Sequence, residues 1–107
     1  MTDEAVVDLT EEIAKSLASL VGIGCQSGDV VMGLSTVRRV SSLALVFADV
    51  SLAEGTLSEL SRLTRHGTRV FRVSPLSLMT AVAGRGDVSV MGVKEGSLAA
   101  GMIKKLG

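Results

Sequence analysis

Apolar side chains near the start of the chain recur at steps of three or four residues, namely Val6, Leu9, Ile13, Leu17, Leu20 and Val21. This spacing predicts a first helix with one apolar stripe, which weakens at Gly22 and Gly24. Similar stripes predict a helix over residues 52–66, with Gly67 as its left-handed end, and a closing helix over residues 98–106. Each helix therefore has one face that can cover a sheet.

Short apolar runs between these helices predict four strands, at residues 30–32, 43–48, 70–73 and 88–93. The run at 43–48 is apolar at every position, as expected for a central strand covered by helices on both faces. Gly33 starts a short second helix after the first strand. Ser74 and Pro75 predict the N-cap and the first residue of a fourth helix, which Gly84 ends.

Helices and strands alternate at short spacing, without a linker, a repeat or a low-complexity stretch between them. This order predicts an α/β protein in which residues 1–107 form a single domain. The expected architecture is a three-layer α/β/α sandwich, with about five helices around a four-stranded sheet. The pattern alone leaves the directions of the strands open.

The amino-acid composition disfavours several classes of protein. The chain has 107 residues, of which 47% are apolar and 2% aromatic, enough for one modest core. The longest apolar run is far shorter than the roughly 20 residues needed to cross a bilayer, and the acidic start does not resemble a signal peptide. We therefore expect a cytoplasmic protein with no membrane partner. A single cysteine, Cys25, and a single histidine, His66, exclude an internal disulfide and disfavour a metal site, and we expect no cofactor.

The 11 basic and 11 acidic side chains are distributed unevenly. Five of the acids lie in residues 1–12, where carboxylates suit the positive end of a helix dipole. Residues 13–107 hold all the basic side chains against the remaining six acids. This excess of positive charge permits a nucleic-acid partner without requiring one.

Signals for catalysis are weak. The glycine-rich segment at residues 22–28 follows a helix rather than a strand, and its spacing does not match a dinucleotide-binding loop. Ser35 lacks the second glycine of a nucleophile elbow, and a triad with His66 and Asp49 would require a coincidence of geometry. No neighbour in the sequence indicates a lowered pKa for Cys25. We predict no catalytic residue and a protein that is not an enzyme.

The strand-to-helix corner at Gly33 offers a different chemistry. A helix start presents free backbone N–H groups, and glycine lets a phosphate or a base edge approach closely. Ser35 and Thr36 would stand in the first turn as hydrogen-bonding groups, and Arg38 and Arg39 would reach phosphates about one turn later. Spacing alone favours an alternative, in which Ser35 and Thr36 cap the helix and both arginines are solvated.

Four ordered motifs are spread along the chain, namely Leu20-Val21-Gly22-Ile23-Gly24, Leu45-Val46-Phe47-Ala48-Asp49, Arg69-Val70-Phe71-Arg72-Val73 and Leu78-Met79-Thr80-Ala81-Val82-Ala83-Gly84. With the Gly33 corner, they resemble motifs of the superfamily of large-subunit ribosomal proteins called L-seven-Ae and L-thirty-e, including its small bacterial members. Proteins of that family bind kink-turn RNA. The resemblance implies that the sheet of the α/β/α sandwich is mixed.

The family contacts RNA through a Gly-x-Asn-Glu-x-x-Lys motif at this corner. The resemblance places Gly33, Ser35, Thr36 and Arg39 at its four defined positions. In the family, the amide and the carboxylate read base edges in tandem sheared G·A pairs. Ser35 keeps a small donor and acceptor, whereas Thr36 supplies no charged acceptor, so we expect lower selectivity for a kink-turn.

A second RNA-facing segment of the family is an apolar loop after the fourth helix. It corresponds here to Val82, Ala83 and Gly84, with Arg85 beside it. The resemblance thus implies a non-enzymatic protein that binds structured, kink-turn-like RNA, with ribosomal RNA as one candidate. The alternative is a protein-interaction or homodimerisation module on the same fold that has lost specific RNA binding, which Thr36 and the zero net charge favour.

Overall fold

The computed structural model describes residues 6–106, in which strands and helices alternate. The strands are β1 (Val6–Asp8), β2 (Val30–Met32), β3 (Leu43–Asp49), β4 (Arg69–Val73) and β5 (Val90–Lys94). The helices are α1 (Glu11–Ser27), α2 (Leu34–Arg39), α3 (Glu54–Ser61), α4 (Ser77–Thr80) and α5 (Ser97–Leu106). The 3₁₀ turns Arg62–His66 and Ala81–Ala83 continue α3 and α4. In this part of the chain, no helix combines the length and the apolar character needed to cross a bilayer.

The strands form one sheet in the order β1-β4-β3-β5-β2. Strand β4 is parallel to both β1 and β3, whereas β5 is antiparallel to both β3 and β2. The sheet is therefore mixed. Strand β3 lies at its centre, as the apolar run at residues 43–48 predicts.

A fifth strand corrects the prediction of four. Residues whose spacing assigned them to the start of the first helix form β1 instead, where Val6 lies opposite Val70. The Arg72 guanidinium donates to the two oxygens of the Asp8 carboxylate at 2.6 and 3.1 Å, which joins β1 to β4. In a segment of three residues, an apolar pattern does not distinguish a helix from a strand, so pairing with β4 decides the structure.

Helices cover both faces of the sheet and produce the predicted three layers. Along β3, Leu45 and Phe47 pack on one face with residues of α1, α4 and α5. Val46 and Ala48 pack on the other face with residues of α2 and α3. All four side chains are fully buried. Because successive strand residues alternate between faces, a strand that is apolar throughout requires a cover on both sides.

Helix α1 is longer at its C-terminal end than predicted, because two of its glycines lie inside it. The Thr10 side chain caps the first turn, and Gly28 ends the helix at φ 85°. A Cβ on Gly24 would overlap the side chains of Val30 and Leu98. Gly24 therefore allows α1 to approach β2 and α5 at a distance at which a larger residue would force these side chains to shift.

The turn before α4 also differs from the prediction. The Ser74–Pro75 peptide is cis and lies in a turn, and α4 begins at Ser77 with Leu76 as its N-cap. The Leu76 N–H donates to Asp49 Oδ1 at 2.7 Å, and the Ser51 N–H donates to Asp49 Oδ2 at 3.0 Å. The Asp49 carboxylate thus joins the end of β3 to the turn that precedes α4.

Candidate nucleic-acid interface

Gly33 joins β2 to α2 at the end of the sheet where β5 begins. Its backbone has φ 93° and ψ 147°, a conformation that other residues rarely adopt. Its N–H donates to the Val90 carbonyl at 2.8 Å. A Cβ at Gly33 would meet no heavy atom within 4 Å. The corner is therefore open on its outer side, which is what close approach of a ligand to the backbone requires.

Ser35 and Thr36 lie in the first turn of α2 without capping it. The N-cap position is Gly33, and no side chain caps this helix. Within residues 6–106, neither hydroxyl is hydrogen-bonded. Ser35 is exposed and Thr36 is half-buried. The interpretation of the two residues as helix caps is wrong, and both hydroxyls are available at the surface.

The two arginines of α2 have different surroundings. Arg38 Nε and Nη2 donate to the Glu59 carboxylate of α3 at 2.7 and 2.8 Å. These bonds raise the pKa of Arg38 and lower the pKa of Glu59, so the pair stays ionised. Arg38 of α2, rather than Arg62 three residues along the chain, is the hydrogen-bonded partner of Glu59. Arg39 is exposed and forms no ion pair within the described residues.

The second predicted segment follows α4. Val82 and Ala83 belong to the 3₁₀ turn, and Gly84 ends it at φ 73°. The Arg85 N–H then donates to the Thr80 carbonyl at 3.2 Å. The Arg85 side chain is half exposed, and its Nε lies 3.6 Å from Asp87 Oδ1, a loose ion pair that leaves the guanidinium accessible.

An open depression of about 440 Å³ brings the two segments together. Thr36 lines it from α2, and Ala83 and Arg85 line it from the segment after α4. Residues of β2 and Cys25 complete the lining. Gly33 and Arg39 are neighbours of Thr36 on the chain but do not line this depression. Segments that are distant in the sequence thus contribute to one surface.

Cys25 also lines this surface, although no sequence pattern places it there. It lies in the last turn of α1 and is half-buried. Burial raises the pKa of the Cys25 thiol, and the charge of Arg85 opposes this rise. The thiol therefore remains protonated near neutral pH and acts as a small apolar group. No local motif relates residue 25 to residue 85, so only the tertiary structure reveals this contact.

A second depression, of about 520 Å³, lies between α1 and the segment after α4. Val82 lines this depression together with Gly22 and Ile23, and Cys25 and Ala83 line both depressions. Ile23 and Val82 are 57% and 58% exposed, which is unusual for large aliphatic side chains. Val82 therefore presents an apolar surface beside the charged one rather than within it.

Ser35, His66 and Asp49, which a catalytic triad would require, do not lie together in the structure. The Asp49 carboxylate accepts hydrogen bonds from Ser51 and Leu76, so it holds two backbone segments together. His66 precedes β4 at one end of β3, whereas Gly33 and Ser35 lie beyond the other end. In the part of the chain that the structure describes, no group of three or more His, Cys, Asp or Glu side chains could hold a metal ion.

Comparison with known proteins extends the description of the fold. No family model matches the chain, and no curated protein matches it. Among solved structures, a protein of unknown function from Bacillus halodurans is similar, with a TM-score of 0.72 and 15% sequence identity. The match covers 91% of this chain and 98% of that one. At this identity the similarity shows a shared mixed α/β fold and carries no information about a ligand.

Proposed function

We propose that this protein binds structured RNA of the kink-turn type, without catalysis, through the surface around the depression lined by Thr36, Ala83 and Arg85. The observation that carries this proposal is the meeting of two segments at one open surface. Each segment corresponds to an RNA-contacting segment of the ribosomal protein family that the sequence resembles. The role belongs in the cytoplasm, where ribosomal RNA is one structured RNA of this kind.

The chemistry of the surface favours recognition of RNA shape and backbone. Arg39 and Arg85 supply exposed guanidinium groups, which bind phosphates in a planar, bidentate manner. Because α2 has only six residues, we assign phosphate binding to these groups rather than to the helix dipole. The two aromatic residues, Phe47 and Phe71, stack on each other in the core, so neither can serve as a platform for bases.

Base recognition would come from the hydroxyls of Ser35 and Thr36. A hydroxyl both donates and accepts, so it can meet a base edge. It lacks the charge that strengthens a carboxylate bond to guanine donors. The proposed complex therefore depends strongly on phosphate contacts, and its affinity should fall steeply as the salt concentration rises.

A fluorescence-anisotropy titration tests this function. The probes are a labelled kink-turn RNA and a plain hairpin of the same length, each titrated at several salt concentrations. We expect tighter binding to the kink-turn. Arg39→Gln and Arg85→Gln should each weaken binding and reduce the slope of log K against log salt by about one. Lys104→Gln removes the same charge from α5, outside both segments of the proposed interface, and serves as the control.

Two results would contradict the proposal. One is equal affinity for the kink-turn and the hairpin at every salt concentration. The other is an equal loss of affinity in Arg39→Gln, Arg85→Gln and Lys104→Gln, which would mean that the affinity for RNA depends only on the net charge of the protein.

A protein partner is the second candidate, and the exposed pair Ile23 and Val82 favours it. These side chains lie at one depression together with Gly22, and burying them against a partner would remove apolar surface from water. Light scattering during size-exclusion chromatography distinguishes the two functions. A dimer that is indifferent to RNA and that dissociates in Ile23→Ser would support this candidate, whereas a monomer that shifts only with RNA would contradict it.

A further inference from the structure

The stretch between Glu59 and Asp87 contains five arginines and no acidic residue. Two of these arginines, Arg62 and Arg65, lie in the 3₁₀ turn that continues α3, and both are exposed. Residues three apart in a 3₁₀ helix eclipse each other, because each turn contains three residues. Arg62 and Arg65 therefore stand on the same side of this turn and face solvent together.

These two arginines continue a positive surface that begins on α2. Glu59 lies three residues before Arg62, and its carboxylate accepts both hydrogen bonds from Arg38. The charges of Arg38 and Arg62 both lower the pKa of Glu59, which indicates that the three groups are within electrostatic reach. One carboxylate thus offsets the charge of only one of the two guanidinium groups, and the local charge remains positive.

Arg38 keeps hydrogen-bonding capacity despite its partner. A guanidinium has five N–H donors, and the bonds from Nε and Nη2 to Glu59 use two of them. The side chain is 51% exposed, so the remaining donors are accessible from solvent. Glu59 holds the guanidinium in one orientation and therefore lowers the entropy cost of a further contact.

We propose that Arg38, Arg62 and Arg65 form an arginine strip that binds the phosphates of a helical stem flanking the RNA element at the Gly33 corner. The inference rests on the proposed function and deepens it, because it specifies an RNA with an extended stem on the α2–α3 side. Arg39 is adjacent to Arg38 in the last turn of α2 and is exposed. Exposed guanidinium groups without aromatic neighbours suit a phosphate backbone rather than unpaired bases.

The experiment compares two RNAs with two double variants. One kink-turn RNA carries stems of a full helical turn on both sides, and the other keeps the same internal loop with the stems trimmed to a few closing pairs. Arg62→Gln with Arg65→Gln removes two charges from the strip. Lys104→Gln with Lys105→Gln removes two charges from α5 in the opposite layer and is the control for charge, although Lys105 also donates to the Ser16 carbonyl. Circular dichroism melting checks that both variants fold.

For the long-stem RNA, we expect the strip variant to reduce the slope of log K against log salt by about two. Its affinity for the trimmed RNA should change no more than that of the control.

Two outcomes would overturn the inference while leaving the proposed function intact. In the first, the strip variant and the control lose the same affinity for the long-stem RNA, although Arg39→Gln still weakens binding. In the second, the strip variant loses the same affinity for both RNAs. If the unchanged protein does not prefer a kink-turn over a hairpin, both the inference and the proposed function fail.

Discussion

The Gly33 N–H donates a hydrogen bond of 2.8 Å to the Val90 carbonyl, and this bond connects the β2–α2 corner to the start of β5. The Asp49 N–H donates to the neighbouring Ser89 carbonyl, also at 2.8 Å. Backbone hydrogen bonds therefore join three parts at one end of the sheet, namely the end of β3, the start of β5 and the corner. Arg85 lies in the segment that leads into β5, so these bonds position both parts of the candidate interface.

Replacement of Gly33 by alanine tests the conformation of the corner. An L residue at φ 93° is strained by about 1–3 kcal/mol, although a Cβ there would meet no neighbour. We expect Gly33→Ala to lower the free energy of unfolding by that amount in urea denaturation. Gly55→Ala is the matched control. A Cβ at Gly55 would also have open space around it, but Gly55 lies within the helix α3. It should raise stability by up to about 1 kcal/mol. Equal effects of the two variants would mean that the corner relaxes without strain.

Thr36→Glu tests how the interface reads bases. A carboxylate at this position would accept from guanine donors with a charge-assisted bond, which typically contributes about 1.5–3 kcal/mol. We expect the ratio of kink-turn to hairpin affinity to rise roughly ten- to hundredfold, measured by anisotropy. Thr36→Gln has nearly the same shape without the charge and should raise the ratio much less. A ratio that is unchanged in both variants would show that residue 36 does not contact bases.

The reactivity of Cys25 can report whether RNA covers the depression lined by Thr36, Ala83 and Arg85. Cys25 is the only cysteine of the chain, and it lines this surface. Saturating kink-turn RNA should slow modification of the Cys25 thiol by a maleimide, whereas the plain hairpin should not. A matched reporter is Ser97→Cys in a Cys25→Ser background, because Ser97 is exposed at the start of α5, beyond the other end of β5. Its rate should be the same with and without RNA. Unchanged reactivity of Cys25 in the bound complex would place the RNA elsewhere.

The Asp49 carboxylate makes stability depend on pH. Burial raises its pKa, but hydrogen bonds from Leu76 and Ser51 outweigh burial, so the pKa is lower in the folded protein than its ordinary value. This contribution to stability is complete above the ordinary pKa and is lost as pH falls through the folded value. We expect Asp49→Asn to cost about 1–3 kcal/mol at pH 7 and progressively less below about pH 4.

Urea denaturation at several pH values measures this difference between Asp49→Asn and the unchanged protein. Glu95→Gln serves as the control, since Glu95 is exposed, and its substitution should have little effect at any pH. A cost for Asp49→Asn that is constant across the pH range would contradict the assigned hydrogen bonds.

Several features of the fold follow directly from local sequence. The run at residues 43–48 is apolar on both alternating faces, so it has to be a covered, central strand. Gly67 and Gly84 end their helical segments at φ 88° and 73°, because glycine adopts left-handed conformations without a steric cost. These predictions are confirmed because each depends on a chain segment and its own side chains.

Other features depend on a partner that is distant along the chain, and they form only when the layers pack together. β1 exists because Val6–Asp8 pairs with β4, and Glu59 binds Arg38 because α2 and α3 lie side by side. Local patterns along the chain account for the sandwich, the Gly33 corner and the residue types near it. Only folding brings Thr36 to the same depression as Ala83 and Arg85. Periodicity and turn chemistry act over a few residues, whereas a surface built from two segments depends on how the layers pack.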